Sequence, residues 1–142
     1  MKYILLIIIV LETISVDAQT QTQKLNLINE LISVTQVKQG TVKLIDQLIN
    51  SYLSKTPNAP KSIVAQIHDN IDYEDYLIKV RLAYSQSYSE AEVKELISAY
   101  MTGNTALYTI KSEKVSPILY DIGTAFGKAA VKVILQKLEP YK

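Results

Sequence analysis

Apolar residues in this chain recur at intervals of three and four, and that spacing leaves one fold class open to it. Leu25, Ile28, Leu31 and Ile32 line one face of a helix, and Val42, Ile45, Leu48, Ile49 and Tyr52 line a second. A third run carries Ile63, Ile67 and Ile71, and Tyr76, Leu77, Val80 and Tyr84 continue the spacing beyond it. A last long run extends from about Ser116 to Leu138, with Pro117 in its first turn after a Ser116 cap. Lys128, Lys132 and Lys137 gather in its C-terminal half, where the helix dipole favours cations. Alternating apolar residues are scarce, and no hairpin dipeptide stands between β-rich runs. The expected class is all-α: a single-domain irregular helical bundle of about five to seven helices.

Punctuation between the runs is equally physical. "KTPNAPKS" (Lys55 to Ser62) places two prolines within four residues and interrupts any helix. "TQVKQG" (Thr35 to Gly40) is read as a turn or short break, and "DNIDYED" as a kink or break. The best specified start is "YSEAEVKEL" (Tyr88 to Leu96). Its Ser89-x-x-Glu92 predicts a capping box, and Tyr88 with Val93 predicts a hydrophobic staple. Glu90 sits in the first turn, where the dipole favours negative charge. Glu95 falls beside Lys94 on a solvated face. The three carboxylates thus have structural tasks rather than catalytic ones.

The N-terminus, "MKYILLIIIVLETISVDAQT", has the layout of a secretory signal peptide: basic Lys2, an apolar run from Tyr3 to Leu11, and a small-residue site ending at Ala18. The run is shorter than the roughly 20 residues a spanning helix needs, and Glu12 interrupts it, so a retained anchor is the weaker reading. Residues 1–18 are therefore expected to be a signal peptide, 19–23 a flexible lead-in and 24–142 the helical domain, exported to the periplasm or secreted. The chain has no cysteine, so neither a disulfide nor an N-terminal lipid-bearing Cys is available. Cleavage after Ala18 leaves 14 basic and 12 acidic residues, a net of +2. That bias is too weak to argue for nucleic acid or an anionic membrane, and no nucleic-acid partner is expected.

Motifs that carry chemistry are thin. His68 is the sole histidine, which excludes a multi-His zinc site within one chain. Asp72 lies one turn from it if the segment is helical, a weak pair of metal ligands at most. "DNIDYED" lacks the ligand spacing and the glycine of a calcium loop. No G-x-S-x-G and no glycine-rich phosphate loop is present. The expectation is no catalytic residue, no metal, no cofactor and no enzyme.

Two features point instead to binding. The chain beyond residue 18 holds nine tyrosines and no tryptophan, and Tyr76, Val80, Tyr84 and Tyr88 follow at four-residue steps. Tyr buries its ring and keeps its hydroxyl wet, so the stripe reads first as the boundary of a core and second as a platform for a sugar or peptide. In "GTAFGKAAVKVILQKL", Gly123 and Gly127 lie one turn apart. Mid-helix glycines cost about 1 kcal/mol each against alanine, which calls for close helix packing or a pocket. Candidate partner or ligand contacts are accordingly Tyr76, Tyr84, Tyr88, Tyr100, Gly123, Phe126 and Gly127.

The stretch "IDYEDYLIKVRLAYSQSYSEAEVKELISAYMTGNTAL" (Ile71 to Leu107) resembles the central pattern of DUF2059, a family of exported bacterial helical proteins with no assigned function. Tyr84, Tyr88, Ser89, Glu92, Leu96 and Tyr100 occupy the matching positions. "LISVTQV", "TPNAPKSIVAQI" and "GTAFGKAA" are similar to its leading helix, its connector and its last helix. The family continues from an aromatic pair into Ser-Pro-x-Gly, whereas this chain has Ala99 at the first aromatic position and then Thr102-Gly103-Asn104-Thr105. The resemblance implies a helical envelope protein and transfers no catalytic residue. Together these readings predict a non-catalytic interaction or accessory module of the cell envelope. The alternative is a carrier of a small apolar or lipid-like ligand held near Gly123, Phe126 and Gly127.

Overall fold

The computed structural model describes residues 20–142, and every regular element among them is helical. Helix α1 covers residues 20–34. It is followed by α2 (Val37–Leu53), α3 (Ile63–Asp69), α4 (Tyr73–Ser87), α5 (Glu90–Met101), α6 (Thr105–Ser112) and α7 (Ser116–Leu138), then a 3-10 turn at Glu139–Tyr141. The segment expected to be a signal peptide, residues 1–18, lies outside the described residues. No described helix is long and apolar enough to cross a membrane.

Side chains from these helices fill two cores. The first joins Ile28, Leu31 and Ile32 of α1 to Leu77, Val80 and Tyr84 of α4 and to Val93 and Leu96 of α5. The second joins Ile45 and Ile49 of α2, Ile63 and Ile67 of α3, and Ala130, Ile134 and Leu138 of α7. Helix α7 enters both, because Leu119 and Ile122 near its start pack on the first core. Its length follows from that double duty: at 23 residues and 1.5 Å rise per residue it runs about 35 Å. No buried side-chain nitrogen or oxygen among the described residues lacks a hydrogen-bond partner. Both cores are thus apolar without hidden polar debts.

The punctuation falls where the sequence chemistry directs it. Helix α2 stops at Leu53 ahead of Pro57 and Pro60, and α3 resumes at Ile63. The "DNIDYED" segment breaks: α3 ends at Asp69, and Asp72 caps α4 by accepting from the Asp75 amide at 2.8 Å. At α5 both halves of the capping box are formed. The Ser89 amide donates to Glu92 Oε2 at 2.6 Å, and the Glu92 amide donates to Ser89 Oγ at 3.3 Å. Tyr88 and Val93 are both buried in the first core, as a staple requires. Ser89→Ala is expected to lower stability by about 1 kcal/mol, read from the midpoint of denaturant unfolding. An unmoved midpoint would count against the cap.

Helix α5 ends in a Schellman motif, with the Asn104 amide donating to the Ala99 carbonyl and the Gly103 amide to that of Tyr100. Gly103 takes the left-handed conformation this demands, φ 70°. Asn104 then caps α6 by accepting from the Leu107 amide at 3.1 Å. Thr102-Gly103-Asn104 therefore closes one helix and opens the next within three residues.

Two local expectations change. Of residues 19–23, expected as a flexible lead-in, the described ones, 20–23, are helical and belong to α1. Gln is a good helix former, and extending a nucleated helix is far easier than starting one. Ser116 is the first residue of α7 rather than its cap, since Val115 holds that position. The Ser116 hydroxyl donates back to the Ser112 carbonyl at 2.8 Å. Glu95 stays on an exposed face, as expected, and pairs there with Lys111 of α6, while Lys94 reaches Glu90 at 2.6 Å. The break after α1 is only Thr35 and Gln36, with Gln36 at φ 54°.

Candidate functional site

Where the two cores adjoin, the surface of α7 is left uncovered on either side of one aromatic contact. Tyr76 of α4 meets Phe126 of α7 with ring centroids 4.6 Å apart, tilted by 35°. Tyr73 approaches the same Phe126 at 5.8 Å. The spacing of Tyr73 and Tyr76 puts both rings on one edge of α4, and Phe126 sits near the middle of α7.

On one side of this contact lies a groove of about 490 Å³ between α4 and α7. Its apolar lining is Ile71, Tyr76, Ile122, Ala125, Phe126, Ala129, Ala130 and Val133, and its charged lining is Asp72, Asp75, Lys79 and Asp121. On the other side, α2 and α7 enclose a groove of about 410 Å³ lined by Thr41, Leu44, Ile45, Gln47, Leu48, Tyr76, Gly123, Phe126 and Gly127. No charged side chain among the described residues lines this second groove, and Leu44 at its lip is 62% exposed. Tyr76 and Phe126 are common to both, so their two rings form a shared wall.

The glycines belong to the second groove. A Cβ added at Gly123 or Gly127 would meet no neighbouring atom within 4 Å. Close packing of another helix is therefore not what calls for glycine here. Both sit in mid-helix and open the groove instead.

The seven residues singled out in the sequence separate into three places. Tyr76, Gly123, Phe126 and Gly127 converge on the grooves. Tyr84 and Tyr88 are 4% and 5% exposed within the first core, so their rings are packing groups rather than a contact surface. The Tyr88 hydroxyl donates to the Lys111 carbonyl at 2.7 Å, tying α5's entrance to α6. Burial raises the phenol pKa of both, and for Tyr84 the adjacent Tyr108 adds to the rise. Tyr100 stands apart at the end of α5, edge-on to Tyr108 at 5.4 Å. The four-residue tyrosine stripe therefore does not act as one platform: only its first member reaches the grooves.

His68 is engaged elsewhere than the sequence suggested. With α3 ending at Asp69, His68 and Asp72 belong to different elements. His68 Nε2 bonds Asp46 Oδ1 of α2 at 2.9 Å, and Nδ1 bonds the Tyr73 hydroxyl at 2.7 Å. This chain of three pins α2, α3 and α4 together beside the second core. No group of three or more metal-ligating side chains occurs among the described residues. Burial, and then the Asp46 carboxylate, push the Tyr73 phenol up to about 12. An unfolded phenol releases its proton near pH 10, so between pH 10 and 12 the folded chain holds the extra proton. Stability therefore falls as pH rises through that window. Melting temperature followed from pH 9.5 to 12 should fall less in Tyr73→Phe than in the parent, and parallel curves would refute this.

Compared with known proteins, the chain matches no family model, no curated protein and no solved structure.

Proposed function

We propose that this chain is a non-catalytic interaction module, exported to the bacterial cell envelope, whose grooves along α7 receive a protein partner. The observation that carries this reading is the pair of mid-helix glycines. Gly123 and Gly127 forgo about 1 kcal/mol each of helix stability, and no neighbouring side chain approaches close enough to require them. Their effect is to deepen an apolar groove beside the Tyr76–Phe126 wall. Concave apolar surface next to aromatic rings is the usual form of a helix- or peptide-receiving site. The resemblance of residues 71–107 to DUF2059 and the signal-like N-terminus support the envelope setting.

One observation favours a second reading, a carrier of a small apolar or lipid-like ligand. The groove between α2 and α7 has no charged lining residue among the described residues and a volume of about 410 Å³, within the range of small-molecule sites.

The double variant Gly123→Ala/Gly127→Ala tests the shared premise. It is expected to be more stable than the parent by about 2 kcal/mol, measured by denaturant unfolding. A loss of stability would mean that the glycines serve packing after all. Native mass spectrometry of protein from an exporting host then separates the readings. Ligand-free protein supports the partner module, and stoichiometric lipid overturns it in favour of the carrier.

A further inference from the structure

The two grooves differ in their rims, and that difference selects an occupant for the larger. The groove between α4 and α7 follows α7 from Ile122 to Val133, which at 1.5 Å per residue is about 16 Å, or three helical turns. Along that line the α7 wall includes Ala125 and Ala129, one turn apart. Such small side chains let another helix approach closely, and Ile71, Tyr76 and Phe126 supply apolar contact beneath it. Carboxylates accompany this apolar lining. Asp75 is paired with Lys79 at 2.6 Å, which cancels both charges locally. Asp72 and Asp121 remain, with no ion pair to either among the described residues. Among the described residues Asp121 has no side-chain hydrogen bond either, whereas Asp72 accepts from the Asp75 amide. The rim thus carries a net charge of −2, three carboxylates against Lys79, with Asp72 partly offset by the α4 N-terminus it caps.

We infer that this groove receives a cationic amphipathic helix from a partner protein: a segment of about three turns, with apolar residues at helical spacing on one face and Lys or Arg beside them. The apolar face fills the groove, and the basic residues meet Asp72 and Asp121. Exposed rim charges of this kind steer and select rather than supply most of the affinity, and salt screens them. This inference rests on the partner reading above and adds the charge and the secondary structure of what binds.

Two dye-labelled peptides of about 14 residues provide the probe. They share one leucine pattern and differ in having lysine or glutamate at the flanking positions. Fluorescence anisotropy against the full protein should show binding of the lysine peptide, weakened by added salt, and much weaker binding of the glutamate peptide. Asp121→Lys, at an exposed position, should weaken the lysine peptide by about fivefold. Ala129→Trp, which fills the groove from its exposed wall, should abolish binding, with circular dichroism confirming that both variants are folded. No binding of the lysine peptide overturns the inference. So do equal binding of both peptides and indifference to Ala129→Trp. Equal binding of both peptides that is still lost in Ala129→Trp would overturn the charge assignment and leave the partner reading standing. Self-association of the protein alone that disappears in Ala129→Trp would overturn it in favour of a second copy as the occupant.

Discussion

Thr124→Pro is expected to destabilise the protein by about 3 kcal/mol or more and to do so for both cores together. Thr124 is exposed and lies in the middle of α7, so no side-chain packing is removed by the change. What is removed is one hydrogen bond of the α7 ladder, and the proline ring collides with the carbonyl one turn earlier. The position matters because Leu119 and Ile122 before it serve the first core, while Ala130, Ile134 and Leu138 after it serve the second. A kink there cannot satisfy both packings at once. Circular dichroism and tyrosine fluorescence in denaturant should report a single transition moved to lower concentration. Two separated transitions would show that the cores fold independently and that α7 does not couple them.

The next largest effects are expected from truncating the fully buried side chains of each core. Leu96→Ala and Ile134→Ala should each destabilise by about 2–5 kcal/mol, the lost transfer energy plus the cavity left behind. Both side chains are 0% exposed. They belong to different cores and share no packing partner named in either, so the double variant should show the sum of the two within about 0.5 kcal/mol. Denaturant unfolding of the two single variants and the double variant measures this directly. A double variant markedly more stable than the sum would mean that strain passes along α7 between the cores.

The sequence spoke most clearly where structure is local. Ser89-x-x-Glu92, the prolines at 57 and 60, and the three-and-four spacing of Ile and Leu each act within a turn or two of chain, and each appears as expected. Helix α6 was harder to see, since no residue of it is buried and its apolar stripe is short. Asn104 after Gly103 was the one local signal for its start. The candidate site was half legible. The paired glycines stood out because they are costly inside a helix, and Phe126 lies between them. Which of the tyrosines joined them was not legible, because spacing along α4 does not say how far each core extends across it. Asp46 and Tyr73 as partners of His68 were hidden for a similar reason: Asp46 lies 22 residues away on another helix. Contacts of that kind are made by packing, and no local rule states them.

The wall formed by Tyr76 and Phe126 has one more consequence. The same two rings bound both grooves, so any coupling between occupants would pass through them. An occupant of one that turns either ring alters the free energy of filling the other, and by reciprocity the second occupant exerts an equal influence on the first. A pair of shallow depressions on one helix thereby acquires the elements of a two-input device, in which the order of arrival is immaterial and only the joint state of the wall counts.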